Sequence, residues 1–329
     1  MISHLATLNA EQFGEIKSED MSLFHHIAFD GDHDAFDALE TLPYFKDLID
    51  LDTNQMGWTP LLWAAAQSDA GMVQRLIDCG ANVLKAKKQD GFNVLHICGM
   101  SGDARVLQIA LRACEKRDVD IMCEEGYSAA HLACMRSNID VLNLLIENGA
   151  DLVKRNVSDS TCFDELLKQD DLDLLECIYP KYGHLQRRQM REPGQFPMIH
   201  IAAGAQGSKC LKYLIDKGEH VNQICNEHDK ATPLHFAVLA QNIENVKLLL
   251  KNGANPNARD TIGNNSMHFA VMVENLPIVK LLDDFGCDAS VKNDSEMCAI
   301  DVAQNEGNKD IMLHFMAQQK YKNFNFNNV

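Results

Sequence analysis

Apolar residues along this chain recur at three- and four-residue spacing, in short stretches that come in pairs. Residues 231–260 show one such pair in ATPLHFAVLAQNIENVKLLLKNGANPNARD, with apolar positions first within 234–238 and again within 243–250. This spacing is typical of helices with one apolar face. Each pair of stretches therefore predicts two short helices joined by a tight turn.

Polar and turn-forming residues flank these stretches where helix ends require them. Thr232 can cap the first helix, and Pro233 can occupy its first turn, where a missing N–H costs nothing. Gly253 can end the second helix in the left-handed conformation. The Asn-Pro-Asn segment that follows predicts a hairpin-like finger leading into the next pair.

The same template returns along most of the chain. A marker position, the fourth residue of Thr-Pro-Leu-His, recurs every 33 to 37 residues and is histidine in six of nine units. In five units a glycine follows the marker by 18 residues. A single helix pair cannot cover its own apolar faces, so a repeat of this kind predicts a stacked array. The markers are His25, Leu62, His96, His131, Asp164, His200, His235, His268 and Asp301.

This pattern resembles the ankyrin-repeat family, whose period is about 33 residues and whose signature is Thr-Pro-Leu-His before two helices. The resemblance covers nine units and implies an all-α solenoid of stacked helix pairs with short hairpin-like fingers. We expect an N-terminal cap at residues 1–20, the repeat array at 21–319 and a C-terminal tail at 320–329. The fifth unit, about 156–190, is irregular because it lacks the marker histidine and the Gly-Ala turn. Whether it continues the stack or forms a hinge stays open.

Charge and cysteine content narrow the functional classes. The net charge of −17 argues against nucleic-acid binding, which draws on an excess of Lys and Arg. Eleven cysteines form no CxxC and many lie in apolar runs, which indicates free thiols in a reducing compartment. No stretch suggests a signal peptide or a membrane span. We therefore predict a cytoplasmic protein, with the cytoskeleton or cilium as finer alternatives.

The chain carries no recognisable catalytic motif. GxSxG, GxGxxG, the P-loop and HExxH are all missing from the sequence. The resemblance implies that the marker histidines form hydrogen bonds within and between repeats. Successive markers belong to successive units, so they cannot converge on one metal ion. We predict no enzyme activity, no metal and no cofactor.

Two columns of equivalent positions supply the candidate binding residues. The first precedes the Thr position and is, by resemblance, solvent-facing on the finger; the second ends the first helix of each pair. Together they predict a partly apolar concave stripe, and exposed apolar stripes usually mark interaction surfaces. The alternative is that each aromatic side chain packs on the neighbouring finger. The candidates are Trp58, Phe92, Tyr127 and Phe196 in the first column, and Met100, Met135, Leu239 and Met272 in the second.

Basic residues gather after the irregular fifth unit. Arg187, Arg188 and Arg191 form a candidate patch for an acidic segment of a partner. The alternatives are a solvated surface or a break in the stack.

These observations favour a non-catalytic scaffold or adaptor that binds a partner protein along its concave groove and fingers. The alternative is a structural subunit of a permanent cytoskeletal or ciliary assembly. An adaptor should have one covered face, whereas a subunit of an assembly should have several. The sequence does not identify the partner.

Overall fold

The computed structural model describes residues 17–18, 21–52, 56–189, 196–225 and 229–318. Over these residues the chain forms nineteen α-helices, one short 3-10 helix and one hairpin of two-residue strands. It divides into two compact units, unit 1 at residues 1–165 and unit 2 at residues 166–329. The predicted cap at 1–20 falls almost wholly outside the described residues, as does the tail at 320–329.

Unit 1 begins with the hairpin, whose strands pair antiparallel. It continues with four helix pairs, a separate four-residue helix after the first pair, and the first helix of a fifth pair. The 3-10 helix spans Lys116–Asp118. The strands are β1 (Lys17–Ser18) and β2 (Met21–Ser22), and the helices are α1 (Leu23–Asp30), α2 (His33–Glu40), α3 (Phe45–Leu48), α4 (Pro60–Ala66), α5 (Ala70–Asp78), α6 (Val94–Ser101), α7 (Ala104–Arg112), α8 (Ala129–Met135), α9 (Ile139–Glu147) and α10 (Cys162–Lys168).

Unit 2 begins within α10, continues with a long helix, and then repeats the helix pair four times. Its helices are α11 (Leu172–Gln189), α12 (Met198–Gly204), α13 (Lys209–Asp216), α14 (Pro233–Leu239), α15 (Ile243–Lys251), α16 (Ser266–Met272), α17 (Leu276–Asp284), α18 (Ala299–Asn305) and α19 (Lys309–Ala317).

Thr232 is the N-cap of α14 and Pro233 lies in its first turn, as predicted, and polar residues occupy the same position at other helices. Thr59 Oγ1 accepts the Leu62 N–H at 3.2 Å at the start of α4, and Asp69 Oδ1 accepts the Met72 N–H at 2.9 Å at the start of α5. Gly253, after α15, has φ +85°, and a Cβ built there would meet nothing within 4 Å. The need for glycine at this turn therefore comes from the backbone conformation, which penalises a side chain, and not from crowding.

Within each unit, short first helices pack on the equivalent helices of neighbouring repeats, and second helices do the same, as α7 does on α5 and α9. Within unit 1, α4 contacts α1 and α6; within unit 2, α16 contacts α14 and α18. Apolar side chains between these layers are excluded from water, for example Leu76, Leu145 and Leu249, each 0% exposed. The predicted all-α array of stacked helix pairs is thereby confirmed.

The fingers between repeats are short hairpin-like turns. The Cys123 N–H donates to the Tyr127 carbonyl at 3.0 Å, which closes one finger on itself. The Glu124 N–H donates to the Asp90 carbonyl of the preceding finger, also at 3.0 Å. Equivalent bonds in unit 2 join Thr261 to Asp229. Successive fingers are thus linked directly through the backbone.

The fifth repeat differs from its neighbours in its second helix. Helix α11 has 18 residues, whereas the second helices of the other pairs have eight or nine, and it contains Pro180 in its interior. No Gly-Ala pair follows to stop it, so the helix continues. Asp164 replaces the marker histidine but keeps its capping role, because its Oδ2 accepts the Thr161 N–H at 2.8 Å.

Candidate functional site

The marker histidines link each first helix to the finger of the next repeat. In five repeats the N–H of the capping residue donates to the histidine Nδ1 at 3.1 to 3.3 Å. In the same rings Nε2 lies 3.0 to 3.2 Å from a backbone carbonyl oxygen, which can only accept, so the proton of the neutral ring is on Nε2 and Nδ1 is the acceptor. Nε2 of His25 in turn donates to the Trp58 carbonyl at 3.0 Å, and Nε2 of His96 to the Tyr127 carbonyl at 3.1 Å. Two candidate finger residues are thus held through their backbones.

Burial keeps these imidazoles neutral. It lowers the pKa of His96 and of His235 from 6.5 to about 4, although backbone carbonyls that accept from the rings act in the opposite direction. Burial also lowers the pKa of His25, His131 and His268. Neutral, doubly hydrogen-bonded rings of this kind act as structural connectors, as the resemblance implied.

Trp58 and Phe92 lie on neighbouring fingers and share one ammonium group. Lys87 Nζ lies 4.6 Å from the Trp58 ring centroid and 5.1 Å from that of Phe92. The same Nζ pairs with the Asp90 carboxylate at 2.7 Å. Both rings are half-buried. Each ring also stacks on a second ring, Trp58 on Trp63 and Phe92 on His96, the latter with centroids 5.4 Å apart. Only a part of each side chain therefore stays open to solvent.

We call the first helix of each pair the inner helix and the second the outer helix. Trp63, on the inner helix α4, joins the finger residues to the inner helices. Its ring stacks on Trp58 with centroids 4.4 Å apart, and Phe29 of helix α1 meets it edge-on at 5.4 Å. Phe29 is 38% exposed, while Trp63 is half-buried. We call Phe29, Trp63, Trp58 and Phe92 the aromatic ladder.

Tyr127 and Phe196 are also half-buried, but their neighbours differ. The Tyr127 ring meets the His131 ring edge-on at 6.2 Å, within unit 1. Within unit 2, the Phe196 ring meets Phe236 edge-on at 5.2 Å. The four finger aromatics thus lie in two separate units, and each makes at least one intramolecular contact.

The second candidate column varies in exposure. Met100 and Met135, at or near the ends of α6 and α8, are half-buried. Leu239 and Met272, the last residues of α14 and α16, are both 49% exposed. Within this column, the exposed apolar side chains therefore lie in unit 2.

Four aromatic residues of these surfaces were missed by the sequence reasoning. Phe29 occupies the same column as Met100, four residues after its marker, in the first repeat. Trp63, Phe236 and Phe269 directly follow their markers, and the two phenylalanine side chains pack on the histidine of the preceding repeat at 5.3 and 5.1 Å. The same column-by-column comparison, extended by one position and to the first repeat, would have found all four.

The basic residues near the first fingers are neutralised. Lys88 Nζ pairs with Asp52 at 2.7 Å, as Lys87 does with Asp90. The predicted patch falls elsewhere: Arg187 and Arg188 lie in helix α11, but their side chains are outside the described residues. Arg191 lies outside them altogether.

Chemically reactive arrangements are scarce in the described ranges. No group of three or more His, Cys, Asp or Glu side chains there is placed to hold a metal ion. Burial raises the pKa of the Cys114 thiol to about 11, which leaves it protonated at neutral pH. Among the described helices, none combines the length and apolar character that crossing a membrane requires. The features that stand out are exposed apolar and aromatic side chains.

Comparison with known proteins identifies the repeats. Family models described as ankyrin repeats match residues 65–156, 161–260 and 240–282. The chain is 29% identical over 180 residues to the nuclear factor NF-kappa-B p105 subunit of Gallus gallus, covering 54% of this chain and 18% of that protein. It is 27% identical over 253 residues to the human transient receptor potential cation channel subfamily A member 1, covering 72% of this chain and 18% of the channel.

A third relative is ankyrin repeat and SOCS box protein 6 of Pongo abelii, 29% identical over 137 residues, which covers 40% of this chain and 24% of that protein. The chain thus spans about a quarter or less of the length of these relatives. The matches to the repeat models extend over more than half of its 329 residues. This chain belongs to the ankyrin-repeat family.

Proposed function

We propose that this protein is a non-catalytic protein-interaction adaptor that binds a partner along its fingers and inner helices. Ankyrin repeats generally mediate protein–protein interaction. The proposed contacts are the eight candidate residues together with Phe29 and Trp63. The candidate residues are Trp58, Phe92, Tyr127, Phe196, Met100, Met135, Leu239 and Met272.

The aromatic ladder is the observation that carries this proposal. Aromatic residues dominate the energetics of protein interfaces because they bury a large area with few rotatable bonds. Here four such side chains run from helix α1 to the second finger with neighbouring centroids 4.4 and 5.4 Å apart, and with Lys87 between the last two rings. An array of partly open aromatic rings on one side of a protein fits a docking surface.

Preorganisation supports the same conclusion. The Trp58 and Tyr127 backbones are fixed by His25 and His96, and the Lys87 contacts restrict the Trp58 and Phe92 rings. Side chains that are already ordered lose less conformational entropy on binding. The ladder therefore has the properties of a preformed interface.

A quantitative capture experiment tests this function. The full chain and its Trp58→Ala/Phe92→Ala/Tyr127→Ala variant are used to capture proteins from native cells, and the captured proteins are quantified. Tyr213→Ala is the matched control: Tyr213 is also half-buried and makes an edge contact, with Tyr179 at 5.7 Å, but it lies on an outer helix. We expect specific proteins to be lost from the triple variant only.

Equal recovery with the wild type, the triple variant and the control would show that the aromatic residues are structural. Circular dichroism spectra of all three proteins must agree, so that loss of capture reports the surface and not unfolding.

Two finer points belong to the proposal. An acidic segment of the partner would contact Arg187, Arg188 and Arg191. The site of action would be the cytoplasm, where eleven thiols stay reduced. No observation on the described residues favours the alternative of a permanent cytoskeletal or ciliary subunit.

A further inference from the structure

Unit 2 carries an apolar surface that is separate from the aromatic ladder. We call it the unit-2 stripe and define it as Phe236 and Leu239 of helix α14 with Phe269 and Met272 of helix α16. Leu239 and Met272 are 49% exposed, and the two phenylalanine side chains are half-buried. The stripe has two rows, because its residues lie three apart on each helix and therefore on the same face.

A notch lies at one end of the stripe. Gly204 ends helix α12 at the position that Leu239 and Met272 occupy in the following repeats. A Cβ built on Gly204 would lie 3.8 Å from the Phe236 ring and meet no other heavy atom within 4 Å. The missing side chain leaves room for an inserted apolar group beside Phe236.

The other end of the stripe is acidic. Glu274 follows Met272 by two residues in the turn after α16, and Glu306 lies in the equivalent turn after α18. Both are exposed, and neither forms an ion pair among the described residues. They line a cavity of 510 Å³ together with Asp310 and Lys309, so its charge is negative. A basic group is the complement of this end.

The distance between successive repeats indicates which secondary structure a bound segment would have. Neighbouring helices pack about 8–10 Å apart, so the notch, Leu239 and Met272 form three equivalent positions at steps of roughly 10 Å. On an α-helix, every seventh residue returns to nearly the same face after about 10.5 Å. A helix also presents two adjacent apolar rows, which matches the two rows of the stripe. A β-strand fits poorly, since residues on one of its faces recur about every 6.6 Å.

We propose that the unit-2 stripe docks a basic amphipathic helix of a partner protein. A large apolar side chain of that helix enters the notch at Gly204. Smaller apolar residues cover Leu239 and Met272, and Lys or Arg side chains face Glu274 and Glu306. This proposal rests on the proposed function, whose contacts include Leu239 and Met272, but it uses no residue of the aromatic ladder.

A peptide selection tests the proposal. A phage-displayed library of random peptides, about 18 residues long, is selected on the full chain, and the dissociation constants of enriched peptides are measured by fluorescence anisotropy. We expect helical peptides with apolar residues seven apart and Lys or Arg at one end. Their affinity should fall as salt rises, because exposed charge pairs are screened.

Four variants, one of them a control, locate the binding site. Gly204→Leu fills the notch without removing any contact and is expected to weaken binding about tenfold, as is Leu239→Ser. Leu313→Ser is the matched control, since Leu313 is 59% exposed on the outer helix α19, and its binding should equal that of the wild type. The double variant Glu274→Lys/Glu306→Lys should instead select acidic peptides.

Several outcomes would overturn the proposal. These are the absence of any enriched peptide, apolar residues spaced three apart as in a polyproline helix, no basic bias, or equal affinity for wild type and Gly204→Leu. Failure of the proposed function is distinguishable, because the Trp58→Ala/Phe92→Ala/Tyr127→Ala variant alters unit 1 alone and should bind these peptides like the wild type.

Discussion

Protonation of the marker histidines should destabilise the array, and His235 allows the size of the effect to be worked out. Its Nδ1 accepts the Thr232 N–H at 3.1 Å, so a proton can be added there only by breaking this capping bond. Its Nε2 donates to the Ala258 carbonyl at 3.2 Å. Burial lowers its pKa from 6.5 to about 4.

Because this pKa is lower in the folded protein, the unfolded chain binds more protons between pH 6.5 and about pH 4. The stabilisation is fully present above pH 6.5 and is lost as pH falls toward the folded pKa. From these two values, one ring reduces the free energy of unfolding by roughly 2 kcal/mol at pH 5 relative to pH 7.5. His96, with the same lowered pKa, should contribute equally.

The assay is urea unfolding followed by circular dichroism, for wild type and His235→Gln at pH 7.5, 6 and 5. Glutamine can still accept the capping N–H. We expect it to lower stability by about 1–2 kcal/mol at pH 7.5, since it loses the bond to the next finger. Between pH 7.5 and 5, the free energy of unfolding of His235→Gln should fall by roughly 2 kcal/mol less than that of the wild type. His220→Gln, at an exposed histidine outside the marker column, is the control. Parallel pH curves for wild type and His235→Gln would refute the reasoning.

Three further substitutions test a cation–aromatic contact, a turn glycine and a buried amide. Lys87→Gln should lower the free energy of unfolding by about 1 kcal/mol, because it removes the cation between the Trp58 and Phe92 rings; a chemical denaturation curve measures this. Gly253→Ala should lower the free energy of unfolding by about 1 kcal/mol, because alanine is strained at this positive φ, and the melting temperature should fall accordingly. Gly204→Ala, at a helical position, should not lower the melting temperature. Asn245→Leu should cost about 2–3 kcal/mol in the same assay, because the Nδ2 of this fully buried residue donates to backbone carbonyls of the preceding repeat at 2.9 and 3.1 Å.

Local signals were enough to predict the repeats. Thr232, Pro233 and Gly253 determine where helices begin and end through interactions within a few residues, and the apolar spacing determines which faces are buried. These features recur in most units, so a wrong prediction for one unit does not change the predicted fold. The resemblance to the ankyrin-repeat family rests on the same residues.

The irregular fifth unit shows where local reasoning stops. Its missing Gly-Ala turn predicts an unusual ending, but it does not predict that α11 extends over 18 residues. Pro180 would ordinarily suggest a helix boundary, yet the helix continues through it. The side chains of Leu174, Leu175 and Ile178, just before this proline, are buried and hold the helix against the rest of the unit.

The candidate surface depended on contacts between residues far apart in sequence. The position of Lys87 between two rings follows from the stacking of adjacent fingers, which no single segment encodes. The same is true of Trp63, which bridges Phe29 and Trp58. The sequence singled out the finger aromatics as an unusual column. Which part of each ring packs within the protein and which part is exposed depends on contacts that only the structure shows.

Site-specific photo-crosslinking in native cells tests the central claim most directly. A p-benzoylphenylalanine residue replaces Phe92 on the ladder, or Leu313 on the outer helix α19 as a control. The account predicts that Phe92→p-benzoylphenylalanine forms defined covalent adducts with a partner protein, and that Leu313→p-benzoylphenylalanine does not. Adducts of equal yield at both positions, or none at Phe92, would contradict an interaction surface on the fingers and inner helices.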